Sequence, residues 1–470
     1  MTYRIILLTV FLFGSQLFAQ EKRSFSLEEA ITYALDSNYT AINARRDIAK
    51  AIKQKWETTA SGLPQINGLI DYQNQIKQPV SLLPAAAFDN TASTVGIVED
   101  FFDLTPNMEA RPPEGFIPIV FGTKQNASAT ATLTQLIFDG SYLVGLQAAR
   151  TFLDFTENAN EKTQLEVRKG VINAYGSVLL AEEGIAILEN NIQTLEENVR
   201  ETALIYENGL AEEEDLEQLQ ITLGSLKNQL ANAVRMEKIA RQMFNLALGI
   251  DLYEEVVLTQ TLSSLATPAL GLLNATDVTE NNVDFKIANN LTEQRALELK
   301  LEKSKALPSL SGFINVGTQT GRNEFDFFDS GTRWFAQSIA GVSLNVPIFS
   351  SGMRSARTQQ AKIALEQSET QLLETTQQLR LAYESAKSEH ELAIDNYETS
   401  KRNLALASRI ENKNQIKFKE GLSSSFELRQ AQIQLYTTQQ ELIQAMLSIV
   451  TTKADLETIL NTPDYRNTQN

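Results

Sequence analysis

The side chains that perform most catalytic and metal chemistry are nearly missing from this chain of 470 residues. It contains no cysteine and one histidine, His390. Disulfides and thiolate metal sites are therefore excluded, and a serine-hydrolase triad or a zinc site built from histidines is hard to assemble. His390 lies in a long polar helical stretch, where we expect a solvated side chain and not a catalyst. The sequence predicts that the protein is not an enzyme and uses no metal or cofactor.

The remaining candidates for chemistry are acidic residues that follow a glycine in two matching stretches. "IYENGLAEEEDLEQLQITL" (205–223) and "KFKEGLSSSFELRQAQIQL" (417–435) agree at seven of nineteen positions with an offset of 212. The shared Gly-Leu pairs are Gly209-Leu210 and Gly421-Leu422, and the acids six residues after each glycine are Asp215 and Glu427. Agreement of this extent indicates a duplicated unit, so each half of the chain should follow the same plan.

Both stretches suit the tip of a helical hairpin. A glycine can adopt the left-handed backbone conformation that ends a helix, and the leucine after it supplies an apolar contact. Residues 424–427 form a capping-box pattern, and the acids at 212–215 favour a helix N-terminus electrostatically. Helix capping is thus sufficient to explain these residues, and a second role in gating a passage stays open beside it.

Each half contains the same elements in the same order. A helix runs into Leu-Pro, at Pro64 or at Pro308, where helical backbone is disfavoured and a strand should follow. Alternating small or apolar and hydroxylated residues predict the strands, with Val342, Leu344, Val346 and Ile348 on one face. The predicted elements are a helix (about 40–62; about 286–306), a strand pair (63–76 with 125–138; 307–318 with 336–349) and a helical hairpin (140–248; 352–460).

The connections between these elements differ between the halves. The segment 77–124 is rich in proline and predicts a long loop, whereas 319–335 predicts a short one. Residues 1–20 have the pattern of a secretory signal, with Arg4 before an apolar run too short to span a bilayer, and no other stretch predicts a membrane helix. The predicted domains are a signal peptide (1–19), a first repeat (20–249), an inter-repeat equatorial segment (250–285), a second repeat (286–460) and a tail (461–470).

Four strands per chain are too few for a closed membrane barrel. Barrels in lipid need about eight or more strands, because an open edge leaves backbone groups without hydrogen bonds. Two or more copies must therefore combine if the strands lie in a membrane. A net charge of −17 argues against nucleic acid as a partner.

The combination of signal, repeat, Leu-Pro strand starts, the strand exits "IFDG" and "PIFSSG" and the Gly-Leu tips resembles the TolC-type outer-membrane efflux proteins. The resemblance extends from about Phe25 to Leu460. It implies a mainly α-helical fold in which three chains build a twelve-stranded barrel in the outer membrane of a Gram-negative bacterium, continued by an α-helical tunnel through the periplasm. It also implies a homotrimer, contact with outer-membrane lipid, and a periplasmic adaptor and an inner-membrane transporter as partners. No lipid anchor through cysteine is expected.

The resemblance places the two tips at the narrow periplasmic end of such a channel. Asp215 and Glu427 then become candidates for the constriction, while Gly209, Leu210, Gly421 and Leu422 become candidates for adaptor contacts. Related channels often carry a second acid nine positions after the glycine, but Gln218 and Gln430 stand there, so a double acidic ring is not expected. The alternative is a soluble periplasmic coiled-coil scaffold or adaptor without a pore, and extraction as a trimer only with detergent would distinguish the two.

Overall fold

The structure, a computed structural model, describes residues 23–88, 90–104, 114–209, 212–275 and 279–461. The predicted signal peptide, Leu210 and the tail beyond Asn461 lie outside these residues. In chain order the elements are β1 (Arg23–Phe25), α1 (Leu27–Ser37), α2 (Tyr39–Ala60), β2 (Gln65–Asn74), β3 (Val80–Pro84), α3 (Thr91–Phe102), β4 (Phe116–Val120), β5 (Gln125–Phe138), α4 (Gly140–Glu207), α5 (Glu213–Leu248), β6 (Val256–Leu258), α6 (Leu262–Leu265), α7 (Val283–Ser304), β7 (Ser309–Arg322), β8 (Phe335–Asn345), α8 (Met353–Lys419) and α9 (Ser425–Leu460). The protein is therefore mainly helical, with a smaller share of strands.

The chain forms two compact units. One consists of Met1–Lys55, Gln147–Leu299 and Arg357–Asn470, and the other of Trp56–Leu146 and Lys300–Ala356. The first contains most of the helical residues, and the second contains the strands β2, β3, β4, β5, β7 and β8.

The core of the helical unit forms around the parallel pair of β1 and β6. Tyr175 is fully buried; its hydroxyl donates to the carbonyl oxygen of Phe25 over 3.0 Å, and its ring meets that of Phe244 edge-on at 5.6 Å between centroids. Val171 and Leu248 are fully buried in the same cluster. This cluster also includes Ile443 of α9, so it joins residues of β1, α4, α5, β6 and α9.

The first helix of the helical unit was not predicted. A capping box starts α1, because Ser26 accepts from the Glu29 amide and the Glu29 carboxylate accepts from the Ser26 amide. The chain then continues into α2 at Tyr39, close to the predicted start of the first helix. The pattern Ser-x-x-Glu at residues 26–29 was the signal that could have revealed α1.

One described helix, Gly140–Glu207, is long and apolar enough to cross a membrane by length and composition alone. The sequence prediction that no stretch beyond the signal has this property was therefore wrong. Core helices of soluble proteins satisfy the same test, and Val171, Tyr175 and Val178 of this helix are buried in the cluster around β1 and β6. Of the apolar window itself, 39% is buried within the chain, so burial against neighbouring helices accounts for part of its apolar composition.

The other unit contains a four-stranded antiparallel sheet in the order β2-β5-β7-β8. The strands start just after the prolines at which helices were expected to end: Pro64 precedes β2, and Pro308 precedes β7. β2 and β8 form the two edges, and neither edge has a neighbour among the described strands. Each edge therefore leaves a row of backbone groups that only another chain or water can satisfy.

The register gives the sheet two different faces. On one, Asn67 pairs with Thr132 and Thr132 with Asn315, whose amide donates to the Thr132 hydroxyl over 2.9 Å. Apolar side chains dominate the other face, including Ile66, Ile70, Leu133, Ile314, Val342 and Leu344. The apolar exceptions on the first face are Leu69, Leu136, Phe313, Phe335 and Ile339. We call the first the polar face and the second the apolar face.

Two predictions about the strand unit were wrong. The segment 77–124 is not simply a loop, since it contains the antiparallel hairpin of β3 and β4 and the helix α3. Strand β8 ends at Asn345, so Val346 and Ile348, predicted on its outer face, lie beyond it. Pro347 explains the early end, because proline has no amide hydrogen with which to continue a ladder.

Candidate functional site at the helical hairpin tips

The first tip connects α4 to α5. Helix α4 ends at Glu207, and Gly209 has a φ of 73°, the left-handed conformation expected of it. Its amide donates to the carbonyl oxygen of Tyr206 over 2.8 Å. Helix α5 then begins with Glu213, Glu214 and Asp215 in its first turn, where carboxylates stabilise the positive end of the helix dipole.

The second tip, between α8 and α9, forms a Schellman motif. Gly421, with a φ of 69°, donates to Phe418 over 3.0 Å, and Leu422 donates to Lys417 over 2.8 Å. Ser424 caps α9 by accepting from the Glu427 amide. The Glu427 carboxylate accepts from the Ser423 hydroxyl over 2.6 Å, so this acid is held within its own tip.

Asp215 has a different environment although it occupies the equivalent sequence position. The hydroxyl of Ser425, the first residue of α9, donates to its carboxylate, so the two tips are joined directly. Ser425 is buried, whereas Glu427 is exposed. The structure thus places Asp215 and Glu427 at neighbouring tips but gives only Asp215 a contact between the hairpins.

Large apolar side chains at the second tip are exposed to solvent in the single chain. Leu422 is 72% exposed, and Phe426 is 55% exposed with the Arg429 guanidinium over its ring. Leu422 was expected to pack as the apolar partner of the helix end, and this exposure contradicts that expectation. Exposed leucine and phenylalanine at a tip are typical of a surface that another molecule covers.

Buried polar side chains lie between the hairpins above the tips. Asn191 of α4 donates to Gln439 of α9 over 2.9 Å. Gln432 and Glu411 are buried as well, and burial raises the pKa of the Glu411 carboxyl. Burial also raises the pKa of the Tyr436 hydroxyl, with the Glu411 charge as a second cause. Amides and hydroxyls are thus buried here beside the aliphatic cluster of Ile192, Leu195, Leu219 and Leu226.

A groove of about 1180 Å³ lies between the two hairpins. All four hairpin helices line it, with Leu188 on α4, Ser225 on α5, Asn403 on α8 and Tyr436 on α9. Its lining mixes aliphatic residues with amides and hydroxyls, and Glu441 is the acid among them. In the described part of the chain, no group of three or more histidine, aspartate or glutamate side chains is placed to hold a metal ion.

The prediction that His390 is solvated was wrong. His390 is fully buried, its Nδ1 lies 2.7 Å from the Thr452 hydroxyl, and its Nε2 accepts from the Ala269 amide over 3.4 Å. The Thr452 hydroxyl donates to Ser448, so Nδ1 must carry the hydrogen and the imidazole is neutral. Burial, with the nearby charge of Lys453 as a second cause, lowers the pKa of His390. The partners lie more than 60 residues away in sequence, so local polarity gave no sign of them.

Comparison with known proteins gives matches to one family and one fold. Residues 275–462 match the family model described as outer membrane efflux protein. The comparison with curated protein sequences gave no match.

The structure is similar to three solved outer-membrane proteins over nearly the whole chain. VceC from Vibrio cholerae has 16% identity and a TM-score of 0.68, covering 92% of this chain and 95% of VceC. The CmeC channel of Campylobacter jejuni has 15% identity and a TM-score of 0.70, with coverages of 93% and 85%. The open MtrE channel of Neisseria gonorrhoeae has 17% identity and a TM-score of 0.66, with coverages of 92% and 88%. At these identities the likeness establishes the fold.

Proposed function

We propose that this chain, whose residues 275–462 match the model of the outer membrane efflux protein family, is the outer-membrane channel of a tripartite efflux or secretion system. The family match and the fold confirm the resemblance stated from the sequence. In the proposed system, an inner-membrane transporter loads the substrate, a periplasmic adaptor connects the two membranes, and this protein conducts the substrate to the exterior. Its location would be the outer membrane of a Gram-negative bacterium.

The sheet supports this proposal most directly. It has an apolar face, a polar face and two edges without neighbours among the described strands. A sheet of this kind suits a barrel wall, with the apolar face toward lipid and the polar face toward a water-filled lumen. Four strands cannot close a barrel, whereas two copies supply eight strands and three supply twelve. We favour the homotrimer with a twelve-stranded barrel, because the family resemblance implies it.

The hairpin tips and the groove between the hairpins are the surfaces proposed for the adaptor. Leu422 and Phe426 present apolar side chains at the second tip, and the groove of about 1180 Å³ above it is large enough for side chains of a partner helix. A helix that docks in a groove of this kind contacts it through residues spaced three and four apart.

We place the constriction of the channel at the same tips, with Asp215 and Glu427 contributing carboxylates. Three copies would bring up to six of them near one axis, and rings of acidic side chains favour cations at close range. The hydrogen bond from Ser425 to Asp215 would hold the two hairpins together in the narrow state. Gating is proposed in addition to the capping that these residues already provide.

Extraction and conductance test the channel itself. The protein should leave membranes only with detergent, migrate as a trimer and conduct ions in a planar bilayer. A monomer that is soluble without detergent and keeps its helix content would instead support the periplasmic scaffold. A folded monomer in detergent that inserts by itself would contradict the trimeric barrel.

The tips are tested separately in the same bilayer. The double variant Asp215→Ala/Glu427→Ala should change the size and the cation preference of the single-channel conductance. Glu384→Ala, which removes an exposed carboxylate on the shaft of α8, is the matched control. Unchanged selectivity in the double variant would leave Asp215 and Glu427 as helix caps only.

A further inference from the structure

Two charged side chains occur on the four strands of the sheet, and they are not equivalent. Arg322 lies at the end of β7, where its Nε donates to both carboxylate oxygens of Asp326 at 2.8 and 3.0 Å. Asp71 lies inside β2, the edge strand Gln65–Asn74, and is exposed. Among the described residues, Asp71 has no ion-pair partner. A local salt bridge therefore does not explain why a charged residue stands at this position.

The register fixes the face on which Asp71 lies. Asp71 pairs with Ser128, and Ser128 with Gln319, so all three lie in one row of the polar face. A pocket of about 360 Å³ on this face is lined by Asp71 together with Gln73 and Asn126. The preceding residue in the chain, Ile70, is 85% exposed on the apolar face. Two consecutive residues thus point to opposite sides of the sheet, as the period of two in a strand requires.

In a membrane barrel, the polar face and the apolar face of the sheet would have different surroundings. A carboxylate on the lipid side of a barrel is unfavourable, whereas a polar lumen hydrates it. Asp71 lies six residues beyond Gln65, the end of β2 that follows the helix α2, or about 20 Å along the strand. In the proposed channel, where the helices are periplasmic, this position is in the outer half of the barrel.

We propose that Asp71 lines the lumen of the barrel and, repeated by each copy of the chain, forms an outer carboxylate ring that favours cations over anions. This inference rests on the proposed function. The ring is separate from Asp215 and Glu427, which belong to the other unit of the chain. Ion selectivity would then be set at two positions along the passage and would survive, in part, when the tips are neutralised.

The face assignment can be tested with single cysteines, because the chain has none of its own. Asp71→Cys and Ile70→Cys trimers are placed in planar bilayers and treated with trimethylammonium-ethyl methanethiosulfonate, a charged reagent that reacts with thiols in water. We expect a stepwise change of conductance for Asp71→Cys and no response for Ile70→Cys. The reverse result would mean that the faces are exchanged and would overturn the inference.

The ring itself is tested by neutralisation. In a salt gradient, the reversal potential of the Asp71→Asn trimer should shift toward zero, because cations lose part of their advantage. Asp329→Asn, which makes the same change on an exposed loop beyond β7, should shift it less. An unshifted potential in Asp71→Asn, or equal shifts in both variants, would overturn the ring. A wild-type protein that does not conduct would instead refute the proposed function, so the two failures are distinguishable.

Discussion

The buried ion pair between Arg168 of α4 and Glu457 of α9 gives a sharp test of how the hairpins are held together. Arg168 Nη2 lies 2.5 Å from Glu457 Oε2, and the two side chains are 8% and 3% exposed. Removing one member of such a pair leaves a charge in a poorly hydrated interior, which costs about 3–5 kcal/mol, whereas replacing both by apolar residues is often neutral. We therefore expect Glu457→Leu alone to lower the free energy of unfolding by about 3–5 kcal/mol.

The two single variants should differ, because Glu457 has a second cation nearby. Lys453 Nζ lies 3.6 Å from Glu457 Oε1 and is partly exposed. In Arg168→Met the carboxylate keeps that lysine, so its loss of stability should be smaller than that of Glu457→Leu. In the double variant Arg168→Met/Glu457→Leu, no member of the buried pair keeps its charge, and the partly exposed Lys453 can be hydrated when it loses the carboxylate, so most of the stability should return.

The assay is chemical unfolding in detergent micelles, followed by circular dichroism at 222 nm for all four members of the cycle. Denaturation midpoints with similar slopes give the free-energy differences. The reasoning is refuted if the double variant is as unstable as the sum of the single ones. It is also refuted if Arg168→Met costs more than Glu457→Leu.

Three further predictions concern the membrane face, the buried histidine and a helix end. Leu344→Arg should cost about 2–4 kcal/mol and reduce the trimer yield if Leu344 faces lipid at mid-depth, whereas Ser343→Arg on the polar face should be tolerated. His390 has a lowered pKa, so its contribution to stability should be complete above pH ~6.5 and decline as the pH falls, and unfolding midpoints of His390→Gln should depend less on pH. Gly249→Ala should destabilise by about 1 kcal/mol or more, because φ is 78° and the new Cβ would lie 2.4 Å from the Ser37 carbonyl oxygen. Gly224→Ala, in the open middle of α5, should instead stabilise by up to about 1 kcal/mol, and equal effects in thermal unfolding would contradict the strain at Gly249.

The features that could be predicted best from the sequence are those that depend on residues close together in the chain. The alternation of alanine with threonine predicts a strand over 125–138, and the structure has β5 at Gln125–Phe138. The glycines at the two tips adopt the left-handed backbone conformation, which glycine reaches easily because it has no side chain. Pro347 has no amide hydrogen to donate to a neighbouring strand, so the predicted strand should have ended before it. These features depend on a few neighbouring residues, so a single sequence is sufficient for them.

Features that depend on distant partners could not be predicted. His390 stands among serine and glutamate on α8, which suggests solvent, but Ala269 and Thr452 cover it from other parts of the chain. The hydrogen bond from Ser425 to Asp215 joins residues 210 positions apart, and no pattern around either one indicates it. Alternation alone could have assigned Asp71 to the polar face. Only the structure shows that it has no ion-pair partner among the described residues.

The contact from Ser425 to Asp215 has a consequence for symmetry. The chain has two tips of similar sequence, and a trimer in which both tips were identical would present six identical corners to its binding partner. Ser425 engages the first tip, while Glu427 stays with Ser423 in the second. In the proposed trimer the corners would therefore be of two kinds that alternate around the axis. A partner with sixfold symmetry would therefore meet a threefold surface, and each of its subunits would have to fit one kind of corner or both.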